Sequence, residues 1–215
     1  MKQFAFRVSN LVFGLLLFAF GIVLTITANI GYAPWDVFHV GIALTTGISI
    51  GAASVIVGAV IVVIAMAFKE KIGLGTICNM ILIGVFIDLI FMLDIVPLAS
   101  SFAVGLAILV AGVLIISIGT YFYIKSAFGA GPRDSLMVVL NRKTKLPVGV
   151  CRCIVELTAT FAGWLLGGMV GIGTVIFVIS IGLCIQLVFT IFKFNATAVE
   201  HETIVQTYKG LKRKN

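Results

Sequence analysis

The most constraining feature of this sequence is a pattern that occurs twice, 98 positions apart. Residues 31–36 have the sequence GYAPWD and residues 129–134 have the sequence GAGPRD, and each stretch follows a long apolar run. Glycine allows a chain to leave a helix with a positive φ, and proline fits the first turn of the next helix. Each stretch therefore predicts a helix end followed at once by a new helix.

The same separation relates many other positions without a gap. The identities extend from Gly14 and Gly112 at one end to Gly84 and Gly182 at the other, and most of them are glycine or proline. They include the GLGT and GIGT stretches at residues 73–76 and 171–174. So many identities in one register indicate an internal duplication. We therefore expect a first membrane repeat at residues 1–94, a second at 95–193 and a cytoplasmic basic tail at 194–215.

The composition places both repeats in a membrane. The chain is 61% hydrophobic and 11% charged, and a soluble domain of 215 residues could not bury so much apolar surface. Apolar runs long enough to cross a hydrocarbon core of about 30 Å lie at residues 11–30, 51–68, 75–93, 102–124, 148–166 and 173–192. We therefore predict an all-α integral membrane protein with six transmembrane helices.

Two shorter stretches, residues 34–46 and 132–145, follow the duplicated motif. Apolar segments of about 10–14 residues are more often re-entrant or interfacial than spanning. Treating them as crossings would give eight spans and would move four basic residues to the outer side. We therefore predict two short interfacial or re-entrant helices, one in each repeat.

The charges predict the orientation. With the amino terminus in the cytoplasm, all 15 lysine and arginine residues fall on the inner side, as the positive-inside rule requires. We therefore expect a multi-pass protein of the cytoplasmic membrane with both termini cytoplasmic. The basic residues lie between apolar spans, so they do not indicate a nucleic-acid partner. The end of the tail, Lys212-Arg213-Lys214, is expected to lie near anionic membrane lipid.

An odd number of crossings in each repeat has a consequence for symmetry. The second repeat would enter the membrane from the opposite side, so the two three-helix halves would be inverted about an axis in the membrane plane. Inverted repeats are typical of alternating-access transporters and of some channels. A duplication that only builds a stable helix bundle is the alternative.

Several motifs together resemble one protein family. They are APWD at residues 33–36, GISIG at 47–51, GLGT at 73–76, GPRD at 131–134 and GIGT at 171–174. This combination resembles the YczE-like bacterial integral membrane proteins over about residues 14–186. The resemblance implies a bacterial cytoplasmic-membrane protein without a firmly assigned activity, whose relatives are grouped loosely with exporters.

Charged residues within the apolar runs are the first candidates for a substrate or ion pathway. Glu156 lies near the middle of the fifth run, and Arg152 precedes it by one turn, so the two can pair on one helix face. A charge at the centre of a membrane helix costs roughly 2.5–3.5 kcal/mol, so it normally faces the bundle interior or water. We expect Glu156 to face a cavity between the repeats, either as a coupling site or as half of a structural ion pair.

Asp88 and Gln186 occupy equivalent positions in the third and sixth runs. Two polar side chains at one pseudo-symmetric position could flank a shared central path. The alternative for Asp88 is a carboxylate near the helix end that reaches the outer interface.

The two short helices supply further candidates. Asp36 and Asp134 lie in their first turns, where a carboxylate commonly interacts with the positive end of the helix. Arg133 occupies the position equivalent to Trp35, so the second motif has a cation that the first lacks. This asymmetry suits an anionic ligand or a lipid head group. His39 lacks a paired acid or nucleophile and is expected at the membrane interface.

The sequence contains no phosphate-binding glycine loop, metal-ligand cluster or catalytic triad, so we predict no enzyme activity, no cofactor and no metal. The first hypothesis is a secondary transporter or exporter of an unknown small-molecule substrate. The alternative is a non-transporting accessory protein that supports a partner enzyme or complex, and a channel is a third candidate. Association into a homo-oligomer is left open.

Overall fold

The computed structural model describes residues 2–212, and the regular elements of this part are helices. Eight of them form the membrane part: α1 Lys2–Thr27, α2 Pro34–Thr46, α3 Ile50–Ala67, α4 Leu74–Met92, α5 Phe102–Lys125, α6 Pro132–Thr144, α7 Val148–Leu165 and α8 Ile172–Ile191. A 3-10 turn at Ala196–Ala198 and helix α9, Ile204–Lys212, follow.

Six of these helices, α1, α3, α4, α5, α7 and α8, are long and apolar enough to cross a membrane. The predicted all-α membrane fold with six spans is therefore confirmed. The short helices α2 and α6 begin at Pro34 and Pro132, as the duplicated motif predicts. The glycines that precede them, Gly31 and Gly129, have φ angles of 119° and 128°, which side chains rarely adopt.

Helix α1 differs from the prediction, since it begins at Lys2 rather than at residue 11. The polar residues before residue 11 end the apolar run but do not end the helix. Arg7 stabilises this first part, because its Nε donates a hydrogen bond of 2.9 Å to the Ser126 carbonyl oxygen. Its guanidinium also lies 4.3 Å from the ring centroid of Phe128.

The local structure repeats with the sequence. Helices α2 and α6 have the same bounds after a shift of 98 positions, and so do α3 and α7. Residues with positive φ also recur at this separation, in the pairs Asn29 and Ala127, Gly31 and Gly129, Gly47 and Lys145, and Lys69 and Gly167. The duplicated sequence therefore builds the same succession of helices and turns twice.

Helices α1 and α5 form the centre of the bundle and run antiparallel to each other. Gly14 of α1 faces Gly119 near the end of α5, whereas Gly21 faces Gly112. A Cβ atom at Gly21 would lie 2.8 Å from the carbonyl oxygen of Gly112, so the backbones are in direct contact. Buried apolar side chains surround this contact, among them Leu11, Leu15, Ile22, Val23, Val113 and Ile116.

The other helices pack around this central pair. Helix α4 packs on α1 and α8 on α5, while α2 packs on α7 and α3 on α6. If the two repeats are exchanged, the pair of α4 with α1 becomes the pair of α8 with α5, and the pair of α2 with α7 becomes the pair of α6 with α3. The antiparallel contact between α1 and α5, which are equivalent helices, is what inverted repeats require, although the inversion across the membrane stays a prediction.

The tail packs against the same end of the bundle as Arg7. A 2.7 Å salt bridge joins Arg7 Nη1 to Glu202 Oε1, and the Glu202 backbone N–H donates to the Ala127 carbonyl oxygen. The tail is therefore attached to the protein. The predicted lipid contact concerns Lys212, Arg213 and Lys214, and the last two of these lie outside the described residues.

The glycine contact between α1 and α5 gives a stability prediction. Gly21→Leu should lower the melting temperature in detergent by about 2–12 °C, because overpacking costs about 1–3 kcal/mol. Its Cβ alone would lie 2.5 Å from Ile116 Cγ1. Gly182→Leu is the matched control, since a Cβ there meets nothing within 4 Å. Equal melting temperatures for the two variants would show that this contact does not support the bundle.

The predicted topology can be tested with reporter fusions. A reporter fused after Asp94 should be outside, and reporters fused after Lys71 or Arg142 should be inside, because this arrangement places every basic residue on the inner side. An outside result at Lys71 would favour eight crossings instead of six.

Candidate functional site

A cavity of about 330 Å³ lies between the two repeats, and all eight membrane-part helices contribute to its wall. The first turns of α2 and α6 both face it. Their lining residues include Pro34, Asp36, Pro132, Arg133 and Asp134. The duplicated motif therefore brings two helix N-termini, one from each repeat, to a single central site.

Trp35 and Arg133 meet directly across this site. They occupy equivalent positions in the two repeats, and the Arg133 guanidinium carbon lies 4.9 Å from the Trp35 ring centroid. This distance is typical of a cation–π interaction. Arg133 makes no hydrogen bond or salt bridge to the other residues of the 2–212 range, and its side chain lines the cavity. The guanidinium is thus held in place by a ring while its N–H donors remain available.

Asp36 and His39 are buried on the first turns of α2. Their side chains are 3% and 2% exposed, and His39 Nδ1 lies 3.8 Å from Asp36 Oδ1. Within the described part of the chain, His39 Nδ1 has no hydrogen-bond partner. Both residues line the cavity, so they are polar groups without a full set of partners at a central site.

The interfacial position expected for His39 is wrong. Helix α2 is buried because it packs on α7, where a Cβ at Gly41 would lie 2.6 Å from the Gly163 carbonyl oxygen. The first two turns of α2 contain Asp36 and His39 among apolar residues, so the sequence alone gives no clear signal for this burial.

The N-cap residues of the short helices, Ala33 and Gly131, have no side chain that can cap the helix. The Asp134 carboxylate instead accepts a hydrogen bond from the Gly131 backbone N–H. Both Asp36 and Asp134 line the cavity next to the positive ends of their helices. They are therefore placed to contact a ligand as well as the helix dipole.

Arg152 and Glu156 lie on the α7 side of the same cavity. Arg152 Nε donates a 2.8 Å hydrogen bond to Glu156 Oε1, and the two side chains are 49% and 24% exposed. The position equivalent to Glu156 in the first repeat is Gly58, which also lines the cavity. The ion pair thus exists in one half of the site, where the other half has a bare glycine.

Asp88 and Gln186 do not line this cavity. Asp88 instead joins the end of α4 to the start of α3, accepting hydrogen bonds of 2.5 Å from Ser49 Oγ and 2.8 Å from the Gly51 N–H. The expectation that Asp88 and Gln186 flank a shared path with the other candidates is corrected. Asp88 lies near the end of α4, whereas Gln186 is exposed on α8 between Ile185 and Phe189, which do line the cavity.

The equivalent ends in the second repeat are apart. Gly51 and Gly84 are in backbone contact between α3 and α4, but Cβ atoms at Gly149 and Gly182 would meet nothing within 4 Å. The two repeats therefore also differ in the packing of these ends: the α3–α4 end is closed by Asp88, and the α7–α8 end is open.

Among residues 2–212, no group of three or more histidine, cysteine, aspartate or glutamate side chains is placed to hold a metal ion. The groups that line the cavity can bind a polar ligand. It combines an arginine with free donors, two carboxylates, a buried imidazole and apolar walls.

The exposed ion pair gives a prediction for the site. Glu156→Gln should leave abundance and melting temperature close to wild type, because accessible ion pairs contribute only about 0–1 kcal/mol. Arg152→Ala combined with Glu156→Ala is the control, measured by the same expression and melting assays. A large loss of abundance in Glu156→Gln that the double variant restores would instead identify a structural pair.

The comparisons with known proteins concern almost the whole membrane part. Residues 5–190 match DUF6198, a family of unknown function. The chain is 39% identical to the uncharacterized membrane protein YczE of Bacillus subtilis (strain 168), over 80% of each chain. It is 35% identical to an uncharacterized protein of Haemophilus influenzae, over 83% of this chain and 81% of the relative.

A third relative, the uncharacterized protein YyaS of Bacillus subtilis, is 27% identical over 81% of this chain and 88% of its own length. No solved structure matches. The family match extends over residues 5–190, and the similarity to YczE covers 80% of the chain. The chain therefore belongs to the YczE-like family of integral membrane proteins, which has the description DUF6198.

Proposed function

We propose that this protein is a secondary transporter or exporter that moves a small molecule across the cytoplasmic membrane by alternating access. The observation that carries the proposal is the difference between the two repeats at their α3–α4 and α7–α8 ends. The central cavity, lined by both repeats, supplies the place where a substrate would be held.

The difference matters because equivalent halves can exchange conformations. In transporters with inverted repeats, one half moves against the other around a fixed site, so each conformer is closed on one side and open on the other. The hydrogen bonds from Ser49 and Gly51 to Asp88 close one end of the first repeat. At the equivalent end of the second repeat, Gly149 and Gly182 have open space instead. This asymmetry supports an alternating-access cycle.

The predicted topology then assigns the two ends to the two sides of the membrane. The start of α3 and the end of α4 would lie outside, and the start of α7 and the end of α8 would lie inside. The structure would accordingly be the conformer that opens to the cytoplasm. In the other conformer, α7 and α8 would approach as α3 and α4 do here, and the contacts of Asp88 would break.

Ser54→Cys tests the cycle without knowledge of the substrate. Ser54 lines the cavity one turn below Gly51, and the four native cysteines, Cys78, Cys151, Cys153 and Cys184, would first be replaced by alanine. An impermeant thiol reagent should react quickly from the inner side and more slowly, but measurably, from the outer side. A static accessory protein predicts reaction from one side only, and that result would contradict the proposal.

A cysteine pair at the closed end sharpens the test. Ser49→Cys with Asp88→Cys should form a disulfide on mild oxidation, because these side chains are in contact. The disulfide should abolish outer labelling of Ser54→Cys and leave inner labelling intact. The equivalent pair, Pro147→Cys with Gln186→Cys, should form a disulfide more slowly and reverse the pattern. Uptake of a metabolite panel by proteoliposomes, before and after oxidation, then measures transport directly.

A further inference from the structure

We propose that the central cavity binds an amino-acid-type zwitterion, meaning a small molecule with one ammonium group, one carboxylate and an apolar side chain. This inference rests on the proposed transport function and names the chemical class of its substrate. It follows from which polar groups of the cavity lack partners, from their charges and from the apolar remainder of the wall.

The first step concerns the unsatisfied polar groups. Arg133 is stacked on Trp35 but has no hydrogen-bond acceptor among the described side chains and carbonyl groups. A guanidinium has five N–H donors in a planar fork, and a carboxylate is the group that matches this fork. The trapped guanidinium therefore calls for a ligand carboxylate.

The second step concerns the opposite charge. Asp36 is almost fully buried, and the Nδ1 of His39, one turn further along α2, lies 3.8 Å from its carboxylate, which is too far for a hydrogen bond. A buried carboxylate that accepts no hydrogen bond is costly, as is a buried imidazole nitrogen without a partner. An ammonium group has three N–H donors and can donate hydrogen bonds to the Asp36 carboxylate. The same end of the ligand would then lie close to His39, which is next to Asp36 on α2.

The third step is the charge balance of the cavity. Arg152 and Glu156 neutralise each other, and His39 is counted as neutral. The remaining charged groups on the wall are one cation, Arg133, and two carboxylates, Asp36 on α2 and Asp134 beside Arg133 on α6. Since both signs are present, a pure anion would be repelled by the carboxylates and a pure cation by the guanidinium. A zwitterion meets both signs and adds no net charge to a site inside the membrane.

The fourth step concerns the rest of the ligand. The remainder of the wall is apolar and largely formed by α1, α5 and α8, with Phe18, Ile22, Ile116, Phe177, Ile181 and Phe189. The volume of about 330 Å³ lies at the lower end of the range for small-molecule pockets. A molecule of amino-acid size with an apolar side chain fits this space.

Position 133 also gives the ligand a direction. The equivalent position in the first repeat holds Trp35, so the carboxylate-binding group exists in one repeat alone. A zwitterion would bind with its carboxylate at Arg133 and its ammonium at Asp36. The bound ligand would therefore be asymmetric at the equivalent positions 35 and 133, where the two repeats also differ in sequence.

The experiment compares three matched ligand series on the purified full-length protein. The probes are leucine, phenylalanine and tryptophan, each as the free amino acid, as the amide that lacks the carboxylate, and as the N-acetyl derivative that lacks the ammonium. Isothermal titration should show at least one free amino acid binding at least about tenfold more tightly than both of its derivatives, because each derivative leaves a buried charged group unpaired.

Two variants assign the two ends of the ligand. Arg133→Gln should remove the preference for the free amino acid over the amide, and Asp36→Asn should remove the preference over the N-acetyl derivative. The matched controls are Lys143→Gln, on the same helix as Arg133, and Asp94→Asn, in a connection between helices. Neither control residue lines the cavity, so both control variants should retain the full preference.

The outcomes separate this inference from the proposed function. Equal or tighter binding of the amides, equal or tighter binding of the N-acetyl derivatives, or no binding of any probe up to about 10 mM would overturn the zwitterion inference. Two-sided labelling of Ser54→Cys would still support transport in each of those cases. Tight binding of a free amino acid with one-sided labelling would support the ligand class and contradict transport.

Discussion

The close contact of α1 with α5 is the interaction on which the rest of the structure depends. Lipid chains are as apolar as leucine, so the association of helices in a membrane relies on tight packing instead of on hydrophobic burial. Gly14, Gly21, Gly112 and Gly119 remove the side chains that would separate the two backbones. Because the helices are equivalent and antiparallel, this contact also fixes how the two repeats face each other. The pairings of α4 with α1 and of α8 with α5 follow from it.

The wall of the central cavity includes the first turns of both short helices, α2 and α6, which begin there. Backbone that leaves the helical pattern is tolerated in a membrane where it is buried in protein or lines a cavity. Gly31 packs against Gly171 and Gly129 against Gly73, so each turn before a short helix is held by the other repeat. These contacts place two helix N-termini at one site. A single repeat would expose its turn and its short helix to lipid.

Equivalent helices of both repeats form the cavity, and residues that differ between the repeats supply most of its charged groups. Arg133 stands opposite Trp35, and Glu156 stands where the first repeat has Gly58. The charged groups are therefore concentrated on α6 and α7, although the apolar frame is shared by both halves. A further difference is conformational, since Asp88 ties α4 to α3 while α7 and α8 are apart. The first kind of difference bears on what is bound, and the second on how a bound molecule could leave.

The sequence by itself determined the elements and their order. Hydropathy and length defined the six spans, Pro34 and Pro132 defined the starts of the short helices, and Gly31 and Gly129 defined the turns before them. The pairing of Arg152 with Glu156 could also be predicted, because it depends on residues one turn apart on a single helix. Signals of this kind are local, so a single sequence contains them.

Only the tertiary structure decided which side chains share the site. It stacked Arg133 on Trp35, buried His39 beside Asp36, and placed Asp88 at a helix end away from the cavity. Each of these outcomes depends on contacts between segments that are distant in sequence, such as α2 with α7. Helical periodicity describes the faces of one helix, but it contains no information about the helix that covers a given face. The physical partners of Arg133 and Asp88, and the burial of Asp36, were therefore set by packing.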